Sequence, residues 1–127
     1  MVGLGQQGER LARAISESSH AKLISVVSTD KSRAQSFKAQ HGAIYSHDLL
    51  QEALHNKKIN AVCIATPNHK HAQEVILAAQ AGKNILCEKP LALTMREGRA
   101  IAAADKKNRV RCFVDFHLRM HESVKRA

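Results

Sequence analysis

Gly3-Leu4-Gly5-Gln6-Gln7-Gly8 forms a G-x-G-x-x-G two residues from the start of the sequence. Leu11, Ala14 and Ile15 follow at helical spacing across Glu9–Glu17. A glycine-rich turn running straight into a helix is a place for a dinucleotide pyrophosphate. The first glycine allows the tight turn. The second lets the backbone approach the phosphates, and the third lets helix and strand pack closely. The helix start adds N–H groups and a partial positive charge. A strand should precede this turn, and only Met1 and Val2 stand there. Taken alone, the motif also fits an ordinary turn, so the rest of the chain decides the fold.

Working outward, short apolar runs alternate with helical patterns. Leu23–Val27 reads as a buried strand. Asp30 or Ser32 can cap the next helix, which turns Ala34 and Phe37 inward and ends at Gly42. Ala43-Ile44-Tyr45 is a short strand, and Ser46 can cap a helix with Leu49, Leu50, Ala53 and Leu54. Ala61–Ala65 is fully apolar and stops at Thr66-Pro67-Asn68, where Asn68 can cap a helix with Val75, Ile76 and Ala79 inward. Ile85-Leu86-Cys87 is another apolar strand, ending in Glu88-Lys89-Pro90. Thr94 and Glu97 form a capping box for a helix to about Asn108, and Cys112-Phe113-Val114 is a last strand.

Alternating strands and helices imply an α/β fold of the Rossmann type: a doubly wound parallel sheet with its first strand cut short. In such sheets ligands bind beyond the carboxyl ends of the strands. The glycine turn, Ser28–Arg33, Thr66–His71 and Glu88–Pro90 all fall at that rim. Their coincidence turns a lone glycine motif into a dinucleotide site.

Length and composition agree. The 127 residues suffice for one core, and 44% are hydrophobic, which excludes global disorder. Aromatics make up only 3%, so Val, Ile, Leu and Ala must build the core. No apolar run is long enough to span a bilayer, and no signal pattern opens the chain. Cys63, Cys87 and Cys112 are odd in number and lie in strand-like runs, as expected for reduced thiols in a cytoplasmic protein. The net charge of +9 invites a nucleic-acid reading, but the cations are scattered and stacking aromatics are scarce. An anionic cofactor or metabolite fits better. His69 and His71 do not share a helical face, so no metal pair is expected.

Gly3–Gly8, then Ala65-Thr66-Pro67-Asn68-x-x-His71, then Glu88-Lys89-Pro90, resembles the cofactor domain of the glucose–fructose oxidoreductase/inositol dehydrogenase (Gfo/Idh/MocA) family. The likeness covers essentially the whole chain. It implies a nicotinamide-dependent oxidoreductase acting on a sugar, polyol or related hydroxy compound. It also implies a Rossmann domain at 1–118, residues 119–127 opening the crossover to a mainly β substrate domain, and homo-oligomers formed through that second domain. The resemblance places Thr66, Pro67, Asn68, His71, Glu88, Lys89 and Arg119 beside the cofactor and gives Lys89 the active-site role as well. A family proline that often follows Arg119 is replaced by Glu122. The remaining catalytic groups, usually an Asp and a His, belong to the second domain. The chain is therefore expected to be a fragment that binds cofactor weakly and does not turn over substrate alone.

Residue types add detail. An acidic residue about 20 positions past the glycines would bond the ribose 2′-OH of NAD. Ser28 stands there, with Thr29, Lys31 and Arg33 nearby. Hydroxyls that donate and cations that neutralise suit a 2′-phosphate, so NADP is favoured over NAD. Asp30 reads as a helix cap; a register shift of two would instead make it the acidic residue. His71 fits either cofactor contact or a packed, hydrogen-bonded role. Glu88 and Lys89 could form a mere surface pair. Beside a nicotinamide, however, Lys89 can hydrogen-bond a substrate hydroxyl and relay its proton. Two other classes stay open: a non-catalytic NAD(P)-sensing regulator, and a family hydrolase that uses NAD transiently.

Overall fold

The computed structural model describes residues 1–126. Helix α1 spans Gln6–Glu17, strand β1 Ser25–Val27, α2 Lys31–His41, β2 Tyr45–His47 and α3 Leu50–Leu54. Strand β3 covers Ala61–Ile64, α4 Asn68–Gln80, β4 Asn84–Glu88, α5 Met95–Asn108 and β5 Cys112–Asp115. A 3-10 turn at His117–Met120 and a short helix α6 at Glu122–Lys125 complete the described chain.

All strand pairs are parallel. β1 pairs with β2, and β3–β4–β5 form a second group. Val2 joins the two groups, bridging to Val27 on one side and Ile64 on the other. Val2 N–H donates to Cys63 O and Val2 O accepts from Ala65 N–H, each at 2.8 Å. Met1 O accepts from Val27 N–H at 2.9 Å. The spatial order is thus β2-β1-Val2-β3-β4-β5, the doubly wound arrangement. A two-residue stub in place of a full first strand is expected to leave neighbouring backbone uncovered. Instead, Val2 is buried and both of its own backbone groups bond the β3 side, while Met1 O and Gly3 N–H bond Val27 on the β1 side, so three residues suffice to bridge the two groups.

The strands alternate their side chains between two cores. Val26 packs with Met1, Ala12, Leu23, Phe37 and Ala43, beneath α1 and α2. Val27, Val62, Ile64, Ile85 and Cys87 pack on the other face with residues of α3, α4 and α5. Val26, Ile64 and Cys87 are fully buried, as β-branched and small residues at a two-sided sheet should be.

Local signals set the boundaries. Asp30 caps α2: its Oδ1 accepts from Arg33 N–H at 3.0 Å, and Gly42 ends the helix in the left-handed region at φ 67°. Thr94 and Glu97 make the capping box of α5. Replacing Thr94 with Ala should cost about 1 kcal/mol in urea unfolding; an unchanged midpoint would show that the box adds nothing.

Two expected caps are corrected. Ser46 lies inside β2, two residues later than the expected strand, and α3 starts at Leu50 without a side-chain cap. Asn68 is the first helical residue of α4, and Pro67 holds the cap position. Proline fits there because its fixed φ suits the turn and its missing N–H is not needed.

Candidate cofactor site

The carboxyl ends of β1, Val2 and β3 open onto one cleft of about 650 Å³. The glycine turn forms its floor. Gly3 sits at φ +84°, and a Cβ there would run into the backbone of Ala65 and Thr66. A Cβ on Gly8 would strike the Gly3 carbonyl, where α1 packs on the turn. Gly5 differs: nothing lies within 4 Å of a Cβ built on it. It precedes α1, whose start has no side-chain cap. Uncapped helical N–H groups beside a cradle that a Cβ would enter suit a pyrophosphate.

The cleft gathers Gly3, Leu4, Gly5, Gln6, Gln7, Ser28, Thr29, Arg33, Thr66 and Pro67 of the expected residues. Ser28 Oγ accepts from Asp30 N–H at 3.2 Å, which orders the turn after β1. Arg33 is held loosely by Asp30, with 3.9 Å between Nε and Oδ2. Asp30 is thus committed to capping, and Ser28 faces the cleft. Lys31 lies off the wall. Its Nζ pairs with Asp48 Oδ2 at 3.1 Å, and that pair holds the Asp48 carboxyl below its usual range.

His71, Asn68, Glu88, Lys89, Arg119 and Gly8 are not on the cleft wall. His71 is completely buried. Its Nε2 lies 2.8 Å from Thr66 O and its Nδ1 2.8 Å from Pro90 O. Both acceptors are carbonyls, so a ring that satisfies both donates from both nitrogens. His71 therefore ties the turn after β3 to the turn after β4. Glu88 is buried at the end of β4, and one carboxylate oxygen accepts from Lys89 N–H at 3.2 Å. Glu88 pairs in register with Asp115, and their carboxylates lie with the His117 ring within 4.8 Å of one another. Lys89 itself is exposed next to this group. Arg119 is exposed on the 3-10 turn.

The cleft also holds residues that sequence patterning misses. Asp48, Leu49, Leu50 and Gln51 come from the turn into α3; Lys70, Gln73, Glu74 and Leu77 come from α4. The α4 set has i, i+3, i+4, i+7 spacing, a signal of a second occupied helix face. Thr66 Oγ1 donates to Glu74 Oε2. Burial pushes the Glu74 carboxyl up, against the opposing pull of the Thr66 hydroxyl, Lys70, His71 and His69.

The cysteines are free thiols. Burial above all pushes Cys87 up to about 12 and Cys112 up to about 11, so neither is a nucleophile near neutrality. Among the described residues, no helix is long and apolar enough to cross a membrane.

A doubly wound sheet with a glycine cradle, an uncapped helix start and hydroxyls at the next strand end defines a dinucleotide-binding Rossmann domain. The family model described as "Oxidoreductase family, NAD-binding Rossmann fold" (GFO_IDH_MocA) matches residues 1–116, and the chain belongs to that family. An uncharacterised oxidoreductase of Streptococcus pneumoniae is 36% identical over 87% of the chain and 29% of its own length. A scyllo-inositol 2-dehydrogenase (NADP(+)) of Bacillus subtilis is 32% identical over 87% of the chain and 34% of its own length. The crystal structure of scyllo-inositol dehydrogenase from Lactobacillus casei, with bound NAD(H) and scyllo-inositol, superposes with a TM-score of 0.92 at 25% identity. That match covers 98% of this chain and 37% of the other. The chain thus spans about a third of the length of these relatives.

Proposed function

We propose that the chain is the cofactor domain of an oxidoreductase that passes hydride between NADP and a sugar, polyol or related hydroxy compound. The cleft carries the reading: it joins the glycine cradle to Ser28, Thr29 and Arg33 on one side and to Thr66 and Pro67 on the other. Gly5 and the start of α1 would take the pyrophosphate. Ser28 and Thr29 would donate to a 2′-phosphate, and Arg33 would neutralise it. Lys31 takes no direct part, because Asp48 occupies it.

A bound nicotinamide supplies the hydride donor or acceptor. Lys89 holds the proton at the substrate hydroxyl, next to the buried Glu88 that accepts from its backbone N–H. His71 keeps the Lys89-Pro90 turn in register with Thr66. The hydroxy-compound assignment is supported by the inositol substrates in the relatives' names.

Calorimetric titration with NADP+ and NAD+ tests the cofactor assignment. Tighter binding of NADP+ is expected. Ser28→Asp should reverse the order, since a carboxylate repels the 2′-phosphate and accepts from a 2′-OH. A change of about tenfold or more in the affinity ratio is expected. An unmoved ratio would take Ser28 out of the site.

A further inference from the structure

Among the described residues, Glu74 is the one acid on the α4 side of the cleft. It is half-buried, and Thr66 at the end of β3 donates its hydroxyl to it. Lys70 lies one turn earlier on the same helix, yet no ion pair joins the two among the described residues. A carboxylate so placed shares a cleft with the glycine cradle and therefore with any phosphates bound there. Filling the cleft removes water from Glu74 and brings negative charge toward it. Both effects favour the uncharged carboxylic acid.

We propose that Glu74 is a cofactor-contacting acid that is protonated in the complex, so that dinucleotide binding takes up a proton at this residue. The inference rests on the dinucleotide reading of the cleft. Other groups facing Glu74 do not replace it. Lys70, His69 and His71 on α4 are attractive to the carboxylate and oppose uptake, but Glu74 is raised even in the free chain. Cys87 on β4, pushed up to about 12 chiefly by burial, keeps its proton. Across the cleft, the pair with Lys31 holds the Asp48 carboxyl below its usual range.

The complex then holds more protons than the free protein, so affinity falls as pH rises through the interval between the free and the bound titration of Glu74. Titration calorimetry with NADP+ and NAD+ over a pH series running from the ordinary carboxylate range upward past neutrality, in buffers of unlike ionisation enthalpy, reads this out. The wild-type chain should lose affinity with rising pH, by about three- to tenfold in all, with uptake of up to about one proton. Glu74→Gln keeps the shape and an acceptor for Thr66. It should bind with a flatter pH profile and correspondingly less proton uptake. The 2′-phosphate titrates alike in both proteins, so their difference isolates Glu74.

Thr66→Val is an independent arm. It removes the hydroxyl that lowers Glu74, so the pH-dependent interval should move upward. Matching profiles for wild type and Glu74→Gln, or an interval unmoved in Thr66→Val, would overturn the proposal. If neither dinucleotide binds at any pH, the cofactor reading itself fails. Binding without a difference between the variants defeats only the role of Glu74.

Discussion

Gly3→Ala is expected to destabilise the domain by about 2–5 kcal/mol, read as a fall in the thermal midpoint. Two costs combine. At φ +84° a side chain lies in the left-handed region, worth about 1–2 kcal/mol for a residue other than glycine. The new methyl also meets the Ala65 carbonyl and the Thr66 nitrogen. These are backbone atoms of the turn after β3 and cannot swing aside. Forcing them apart costs about 1–3 kcal/mol more. The clash sits where Val2 stitches the sheet together, so relaxation would strain the bonds from Val2 to Cys63 and Ala65. Gly5→Ala is the contrast. Its φ is −85° and its Cβ meets nothing within 4 Å, so the fold should tolerate it. Its methyl stands in the cradle, so dinucleotide affinity should drop while the thermal midpoint holds. An unchanged midpoint in Gly3→Ala would mean that the turn shifts freely. Unchanged affinity in Gly5→Ala would remove the cradle from the site.

The two glycines also show how far the sequence carries. The motif locates the turn and the helix after it, but not which glycine serves packing and which leaves room for a ligand. That distinction depends on how Ala65 and Thr66 approach the turn, a contact more than sixty residues away in the chain. The sheet is legible because its strands are short, β-branched and buried on both faces. β2 is not. Its Tyr45 is exposed and its pattern is weak, so the sequence places the strand two residues early, and the Asp48–Gln51 wall of the cleft goes unseen with it. On α4 the inward residues Val75 and Ala79 use up the obvious periodicity. Lys70, Gln73 and Glu74 carry no signal of their own, although they line the cleft. His71 needs the structure for another reason. A histidine one turn into a helix can point at ligand or at backbone, and its bonds to Thr66 and Pro90 come from turns that sequence spacing does not bring together. Lys31 illustrates the converse: a cation at the right distance from the glycines is already claimed by Asp48, forty residues from the motif.

Lys89→Ala in the full-length protein should lower turnover by about 10²- to 10⁴-fold while leaving dinucleotide affinity near its wild-type value. The split follows from placement. Lys89 is exposed at the rim and stands off the wall of the cleft that the dinucleotide would fill. Removing its side chain therefore disturbs none of the groups assigned to the cofactor. The backbone around it is anchored independently: Glu88 is buried, and His71 reaches the Pro90 carbonyl. Substitution at Lys89 thus removes an amine without loosening its turn. Hydride transfer from the carbon bearing a hydroxyl, or in reverse to a carbonyl carbon, requires a proton to leave or reach the oxygen, and a free alkoxide is costly in water near neutrality. An amine at hydrogen-bond range relieves that cost; a methyl group does not. Lys89→Arg keeps the charge and should still fail, because guanidinium does not give up its proton. Turnover is measured as reduced nicotinamide absorbance against a panel of inositols and sugars. The dinucleotide affinity of each variant is measured separately. Near-normal turnover in either variant would show that the proton passes elsewhere. A parallel collapse of cofactor affinity would show instead that Lys89 holds the dinucleotide.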